Sequence, residues 1–292
     1  MRHIEIPSPP HPSFVVLGLE IRYYALFILA GIIVALLIGA RRLKLRGAEA
    51  GLVLDVAIWT VPLGIIGGRL FHVVTHWSDY FSPGMDLWKI VDIKEGGLAI
   101  YGALIFGLIG AAIGSRFAGI RLTTFLDVIA PGVILAQGIG RWGNYFNQEL
   151  FGYPTTLPWG LKIDRPNPAI PMDLPAGELF LPTFLYEFIW NLAIFGVLLL
   201  LDKKFELRWG KLFACYLMLY SLGRFWIEGL RIDPSDIYLG LRTNQWSAVV
   251  AGLIGLGIFL YQRSNHTGVE PSVYLPGREP KPAEESVAKT GD

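Results

Sequence analysis

Apolar runs separated by short polar loops dominate the chain from about residue 22 to residue 262. Seven of them, about 22–40, 52–74, 97–115, 124–141, 183–201, 210–228 and 244–262, approach the roughly 20 apolar helical residues that cross a bilayer core. The pattern predicts an all-α integral membrane protein with seven transmembrane helices. The first run has no basic region abutting it and no small-residue cleavage site after it, so it reads as a retained span rather than a signal peptide. Between spans four and five, about residues 152–182 are rich in Pro and Gly and read as a small external head. Residues 264–292 mix Pro, Glu, Lys, Ser and Gly without periodicity and read as a disordered cytoplasmic tail, leaving 1–263 as one polytopic domain. No internal repeat is found, so the inverted-repeat signature of many transporters is missing.

Composition sharpens this picture. Of the 292 residues, 53% are hydrophobic and only 17% charged, against about 25% charged in an average soluble domain. That excludes disorder for most of the length and argues against a soluble two-domain enzyme. With 25 Lys and Arg against 24 Asp and Glu, the net charge of +1 gives no field for nucleic acid. One cysteine, Cys215, can form neither an internal disulfide nor a zinc ribbon. Basic residues in the loops set the orientation. One set of short loops holds Arg41, Arg42, Lys44, Arg46, Arg116, Arg121, Lys203, Lys204, Arg208 and Lys211. The much longer opposite set holds Arg2, Arg22, Lys89, Lys94, Lys162, Arg165, Arg231 and Arg242. The N-terminus is therefore expected outside and the C-terminus in the cytoplasm.

Ionisable residues within spans are costly and point to function. Under this topology Tyr23, Tyr24, Arg69, His72, Tyr101, Arg141, Asn144, Asn147, Glu149, Tyr186, Glu187, Arg224, Glu228, Arg242 and Gln245 all fall at the outer ends of the spans. The inner half shows little beyond Asp55 and Asp127. The convergence suggests a polar cavity open to the outer leaflet. Plainer roles compete residue by residue: tyrosines at span ends anchor at interfaces, arginines snorkel, and Arg224 with Glu228 can be a structural i,i+4 pair. Arg231 extends that face by one turn and is expected in water. Cys215, among apolar neighbours, reads as packing.

The segment from Gly140 to Gly152 is dense in glycine, amide and charge. A guanidinium beside carboxamides suits a phosphate, because Arg offers a bidentate fork and Asn adds neutral donors. Arg141 and Arg224, on different spans, could clamp one phosphodiester at headgroup depth. A transporter of an anionic lipid or small anion would use the same clamp, and a non-catalytic assembly factor could carry such residues for structure alone. There is no HExxH, no GxSxG and no acidic cluster suited to a metal. Neither metal nor cofactor is therefore expected, and a transferase drawing its nucleophile from a second substrate needs none of these parts.

At these residues the sequence resembles the prolipoprotein diacylglyceryl transferase family. Gly140, Arg141, Gly143, Asn144, Asn147, Glu149 and Gly152 match its signature Gly-Arg-x-Gly-Asn-x-x-Asn-x-Glu-x-x-Gly. Further matches are Arg22-Tyr23-Tyr24, Gly67-Gly68-Arg69-Leu70, Gly96-Gly97-Leu98, Pro182 to Glu187, and Gly223-Arg224-Phe225 with Glu228 and Arg231. The resemblance covers roughly residues 12–262. It implies a seven-helix enzyme of the bacterial inner membrane with its site toward the outer leaflet. Such an enzyme transfers the diacylglyceryl group of phosphatidylglycerol to the lipobox cysteine of a prolipoprotein signal peptide, releasing glycerol 1-phosphate. Carried over by position, it implies catalytic roles for Arg141, Arg224, Tyr24, Asn144 and Glu149, and Tyr101 joins them as a catalytic candidate expected to orient the headgroup. The resemblance implies lipid binding by Arg141, Asn144, Arg224, Gly152, Glu228 and Arg69, with Glu149 and Glu228 positioning the arginines or accepting the proton. Two positions depart from the pattern: Tyr101 stands where many members carry a His proposed as general base, and Leu181 precedes Pro182 where His is common. A neutral phenol, with a reference pKa of about 10, is a poor base for a thiol of about 8.5, so the base is not carried over.

The loop charges give a direct test. Reporter fusions after Arg46, Arg121 and Lys211 should read cytoplasmic, and fusions near Tyr80 or Pro166 external. A cytoplasmic reading at Pro166 would invert the expected arrangement.

Overall fold

The computed structural model describes residues 5–82, 84–92, 96–172 and 174–280. Arg2, Lys94 and residues 281–292 of the expected tail lie outside the described residues. In chain order the elements are β1 (Ser13–Val16), β2 (Leu19–Arg22), α1 (Tyr23–Leu45), α2 (Leu52–Thr75), α3 (Trp77–Phe81), a 3-10 turn (Leu87–Ile90), α4 (Ile100–Phe117) and α5 (Leu122–Phe146). There follow β3 (Pro154–Thr155), β4 (Leu161–Lys162), β5 (Leu179–Phe180), α6 (Thr183–Phe205), α7 (Lys211–Glu228), β6 (Ile237–Tyr238), β7 (Leu241–Arg242) and α8 (Thr243–Asn265). Six helices, α1, α2, α4, α5, α6 and α8, are long and apolar enough to cross a membrane. The fold is that of a mostly helical, multi-pass membrane protein. α7 has 18 residues but carries Lys211, Arg224 and Glu228, which lowers its apolar content below that of the other six.

The chain forms two compact units, Met1–Val53 with Thr123–Glu270 and Leu54–Leu122 with Pro271–Asp292. In the first, small residues let backbones approach closely, the usual means of helix association where lipid removes the hydrophobic drive. Gly31, Ala35, Gly39 and Leu43 form the buried stripe of α1. A Cβ at Gly132 of α5 would lie 2.7 Å from the Ala35 carbonyl oxygen, and one at Gly39 would lie 2.7 Å from Ile129 Cδ1. α6 meets α7 where the Trp190 indole covers Gly223 and donates to the Leu219 carbonyl at 3.2 Å. Ala130, Ile134, Ile194, Leu198, Leu212, Cys215 and Tyr216 make one apolar core. Cys215 is thus a packing residue, as its neighbours in sequence imply.

Asp127 has a structural task that the sequence did not disclose. Its fully buried carboxylate accepts the backbone N–H groups of Gly210 and Phe213, each at 2.9 Å. α7 begins at a glycine with no side-chain cap of its own. Asp127 therefore supplies from α5 the acceptor that the first turn of a helix leaves wanting.

Residues after α5 build a small sheet of order β3-β5-β4, antiparallel throughout. Its core comprises Phe151, Leu161, Ile163, Ile170, Phe180 and Phe184. The N-terminal strap joins it: Ile6 donates to Gly160 O and accepts from Lys162 N, both at 2.9 Å. Hydrogen bonds from Ser8 and Gln148 hold the Asp164 carboxyl below the usual carboxylate range.

In the second unit, α2 and α4 meet through glycines. A Cβ at Gly114 would lie 2.8 Å from Val56 Cα, and one at Gly110 2.6 Å from the Trp59 carbonyl oxygen.

The expected disordered tail is corrected over its described part. In the first unit Glu270 accepts from Thr124 Oγ1 at 2.7 Å and from Trp209 N at 3.0 Å. In the second, Tyr274 is buried and bridges Ile120, Arg121 N donates to Val273 O, and Leu275 N to Gly119 O. An extended segment that pairs through its backbone needs no hydrophobic periodicity, which is why the sequence pattern missed it.

Candidate active site

Within the first unit the ends of α5, α6 and α7 and the start of α8 bring four guanidinium groups together. Glu187 of α6 is the bridge between two of them. Its Oε1 accepts from Arg224 Nη1 at 3.2 Å, and its Oε2 lies 3.0 Å from Arg141 Nε as an ion pair off the line of a hydrogen bond. Glu228, with no solvent exposure, is a second hub. Its Oε2 meets Arg224 Nη2 at 2.6 Å and Arg231 Nη1 at 3.0 Å, and its Oε1 meets Arg242 Nε at 3.1 Å. Asp233 takes a bidentate contact from Arg231 at 2.7 and 2.8 Å and a further one from Arg242. A buried carboxylate needs pairing to stay charged, and buried guanidinium groups need the same. The cluster answers both demands at once.

Arg141 continues into the signature segment. Its Nη1 donates to Asn144 Oδ1 at 3.2 Å, and Asn144 Nδ2 donates to Glu149 Oε1 at 2.8 Å. Asn147 Nδ2 reaches the same Glu149 oxygen at 3.2 Å. Glu149 is thus held by carboxamides, whereas Glu187, Glu228 and Asp233 are held by guanidinium groups. Tyr24, at the start of α1, lies against Gly143, where a Cβ would come within 2.4 Å of its ring. It stands within electrostatic reach of both Glu149 and Arg141.

The structure sorts the sequence-predicted residues into two groups. Arg141, Asn144, Glu149, Tyr24, Arg224 and Glu228 come together in the first unit. Tyr101 and Arg69 belong to the second unit. There Tyr101 packs beside Phe71, with ring centroids 6.2 Å apart. Arg69, expected to bind lipid, is held by backbone carbonyls. It donates to Ile90 O at 2.8 Å, Gly96 O at 3.0 Å and Gly97 O at 3.1 Å, and also to Lys89 O. Positive φ at Gly96 and Gly97 turns their carbonyls toward it. Arg69 also borders a cavity of about 270 Å³ shared with His72, Asp79, Tyr80 and Lys89.

Gly152, expected at the lipid, sits instead in a backbone ladder. Its N–H donates to Leu181 O at 2.9 Å, and a Cβ there would meet Leu181 Cβ and Leu230 O at 2.7 Å. Its smallness serves packing. Arg231, expected in water, is 5% exposed and belongs to the Glu228 cluster. Its burial could have been suspected from the Glu228-x-x-Arg231 spacing, which places the two on one helical face. Glu187 and Arg242 stood among the polar span-end residues, but nothing in the sequence singled them out as the bridge and the third arm.

The family model for prolipoprotein diacylglyceryl transferase matches residues 12–261. The chain belongs to the prolipoprotein diacylglyceryl transferase family. Among similar proteins, the phosphatidylglycerol–prolipoprotein diacylglyceryl transferase of Leifsonia xyli is 53% identical over 287 residues, covering 94% of this chain and 85% of that protein. The protein of the same name in Paenarthrobacter aurescens is 47% identical over 266 residues, covering 89% and 84%. The second such transferase of Streptomyces coelicolor is 43% identical over 289 residues, covering 95% and 90%. The arginine network of this family member therefore lies within the segment that carries the match.

A substitution separates the two possible tasks of Arg69. Arg69→Lys replaces a fork that reaches four carbonyls with a single ammonium. Limited proteolysis should then cut beside Lys89, Ile90, Gly96 or Gly97 several-fold faster than in the parent protein, while the first unit stays resistant. An unchanged cleavage pattern would remove the loop-holding role.

Proposed function

We propose that this chain transfers the diacylglyceryl group of phosphatidylglycerol to the lipobox cysteine thiol of a prolipoprotein, releasing glycerol 1-phosphate. The observation that carries the reading is the Arg141–Glu187–Arg224 bridge, two guanidinium groups from different helices fixed by one carboxylate in a chain of this family. Four guanidinium groups share three carboxylates in direct ion pairs there, among the described residues.

In this reading Arg141 and Arg224 turn their remaining N–H groups to the phosphate. The thiolate sulfur attacks the glycerol carbon that bears the phosphate ester. A carbon–sulfur bond forms, the carbon–oxygen bond breaks, and its electron pair leaves on the phosphate of glycerol 1-phosphate. The two guanidinium groups stabilise the charge that grows there, donors preorganised for the transition state rather than the ground state. The same positive groups favour the thiolate of the incoming cysteine. Glu149, held by carboxamides rather than by a guanidinium, takes the thiol proton. Asn144 keeps Arg141 and Glu149 in register, and Tyr24 orients the headgroup. Glu187 and Glu228 position the arginines. Confinement of both reactants to one leaflet supplies much of the rate through proximity.

The topology that goes with this function has seven spans, with α7 added to the other six as the sixth in chain order. Its charges are tolerable because Arg224 and Glu228 are paired inside the protein rather than facing lipid. The N-terminus lies outside, the C-terminus in the cytoplasm, and the site toward the outer leaflet of the bacterial cytoplasmic membrane.

The deciding assay uses purified protein in phosphatidylglycerol vesicles with a lipobox peptide. Labelled diacylglyceryl should appear on the peptide thiol, with one glycerol 1-phosphate released per transfer; absence of both sinks the proposal. Arg141→Lys keeps the charge but loses the fork, so turnover should fall by about 10²–10³-fold, the usual loss for a transition-state donor. Near-normal turnover would remove Arg141 from that role.

Cys215 tests whether transfer is direct. Cysteine is the natural candidate for an enzyme-bound intermediate, yet Cys215 is buried in the apolar core, about nine residues or roughly 13 Å of helix from Arg224. Cys215→Ala should keep most of the activity. A dead variant that still binds phosphatidylglycerol would argue for a covalent route.

A further inference from the structure

The chain contains two hairpins of one design, each feeding a long apolar helix. β1 and β2 pair antiparallel around Leu17-Gly18, and β6 and β7 around Leu239-Gly240. Both turns have positive φ at both central residues, 51° and 80° in the first and 49° and 79° in the second. That is the backbone of the tight hairpin turn which favours Asn-Gly or Asp-Gly, since a bulky side chain is strained there. Leucine at the strained position of both turns calls for a reason outside the turn.

Exposure supplies it. Leu17 is 98% and Leu239 92% exposed, and Val15, Leu19, Ile237 and Tyr238 beside them are more than half exposed. In water this would be a cluster of unshielded aliphatic groups at each tip, and an exposed apolar patch marks a contact surface. The feet of the hairpins are different in character. Ser13 Oγ donates to Glu20 at 2.7 Å, and Thr243 N donates to Asp236 O at 3.1 Å. Aromatic rings stand there too: Tyr23 between Phe14 and Phe146, and Trp246, whose indole donates to Tyr238 O at 2.8 Å. Exposed apolar side chains standing close beside aromatic rings and polar groups match the boundary between hydrocarbon and headgroups.

Both hairpins belong to the arginine end of the first unit. β2 runs into α1, whose second residue Tyr24 lies on Gly143 of the signature segment. β7 ends at Arg242, the N-cap of α8, whose guanidinium meets Glu228. The exposed apolar faces of α1 and α8, including Leu26, Leu29 and Ile33 on one and Val250, Leu253 and Ile254 on the other, continue from the same two hairpins.

We propose that Leu17 and Leu239 are twin wedges seated in lipid at the hydrocarbon–headgroup boundary, fixing the depth of the arginine network relative to the lipid phosphates. Lipid is the occupant because each hairpin runs directly into a long helix whose exposed face is apolar. The tips are convex knobs rather than a groove, and β6 and β7, two residues each, are too short to give an extended peptide an edge. The proposal needs only a membrane-embedded chain, so failure of the transfer assay would leave it standing.

The test uses the full chain in vesicles. Leu17→Cys and Leu239→Cys are made separately in a Cys215→Ala background, which leaves one thiol in each protein. Each is labelled with an environment-sensitive fluorophore. Met172→Cys serves as the aqueous reference, since Met172 in the loop before β5 is fully exposed. Lipids brominated high on the acyl chains should quench both tip labels, and iodide should quench them several-fold less than the Met172 label. Tip labels as open to iodide as the Met172 label would overturn the proposal. So would quenching that appears only when a spin-labelled lipobox peptide is added, which would assign the tips to the peptide. Val16→Cys and Ile237→Cys repeat the measurement beside each turn, in case a label at the turn itself disturbs the hairpin.

Discussion

Everything at the arginine end of the first unit depends on keeping buried guanidinium groups paired. An arginine cannot shed its proton to escape burial, so each must meet a carboxylate or enough carbonyls. Glu187 and Glu228 meet this demand from two helices. Glu187 ties α5 to α7 through Arg141 and Arg224, and Glu228 ties α7 to α8 through Arg242 while holding Arg231 on its own chain segment. The relative placement of four elements is thereby set by two side chains. The same pairing preorganises Arg141 and Arg224, whose orientation would otherwise be that of long flexible side chains.

Packing brings these charges into range. α1 lies close on α5 because Gly31, Ala35, Gly39 and Gly132 remove the Cβ atoms that would separate the helices. Tyr24 consequently reaches Gly143, and the signature segment starts from a fixed wall. At the far end Asp127 caps α7 from α5, so the helix that carries Arg224 and Glu228 is anchored at its first turn by the helix that carries Arg141. A buried carboxylate at one end and a buried ion-pair network at the other hold the same pair of helices.

Arg69, Gly152 and Arg231 show why residue type and span-end position do not decide a role. Arg69 has the fork a phosphate needs, yet that fork donates to the carbonyls of Lys89, Ile90, Gly96 and Gly97. Gly152 is small as a ligand-facing glycine would be, but the space it leaves is filled by Leu181 and Leu230. Arg231 looked like a solvent residue because it follows the apolar run, and it is buried because Glu228 and Asp233 receive it. For Arg69 and Gly152 the groups that fill the space around the residue lie 20 or more positions away, whereas for Arg231 they are close in sequence but brought into line only by the fold.

Much was legible in the sequence: the helices, their approximate ends, the family, and Arg141, Asn144, Glu149 and Arg224 as a group of side chains that the fold brings together. Those features are local: apolar run length fixes a span, and the signature from Gly140 to Gly152 is contiguous. The sequence also determined that Cys215 packs, since its apolar neighbours sit on the same helix. Tertiary structure alone decided that Glu187 is the bridge, that Arg242 from α8 completes the Glu228 hub, and that Asp127 caps α7. It also decided that Glu270 and Tyr274 dock rather than trail. The physical reason is common to all of these. A hydrogen bond or ion pair between residues on different elements, here 14 or more positions apart, leaves no periodic trace along the chain, and which donor meets which acceptor is fixed only when the helices pack.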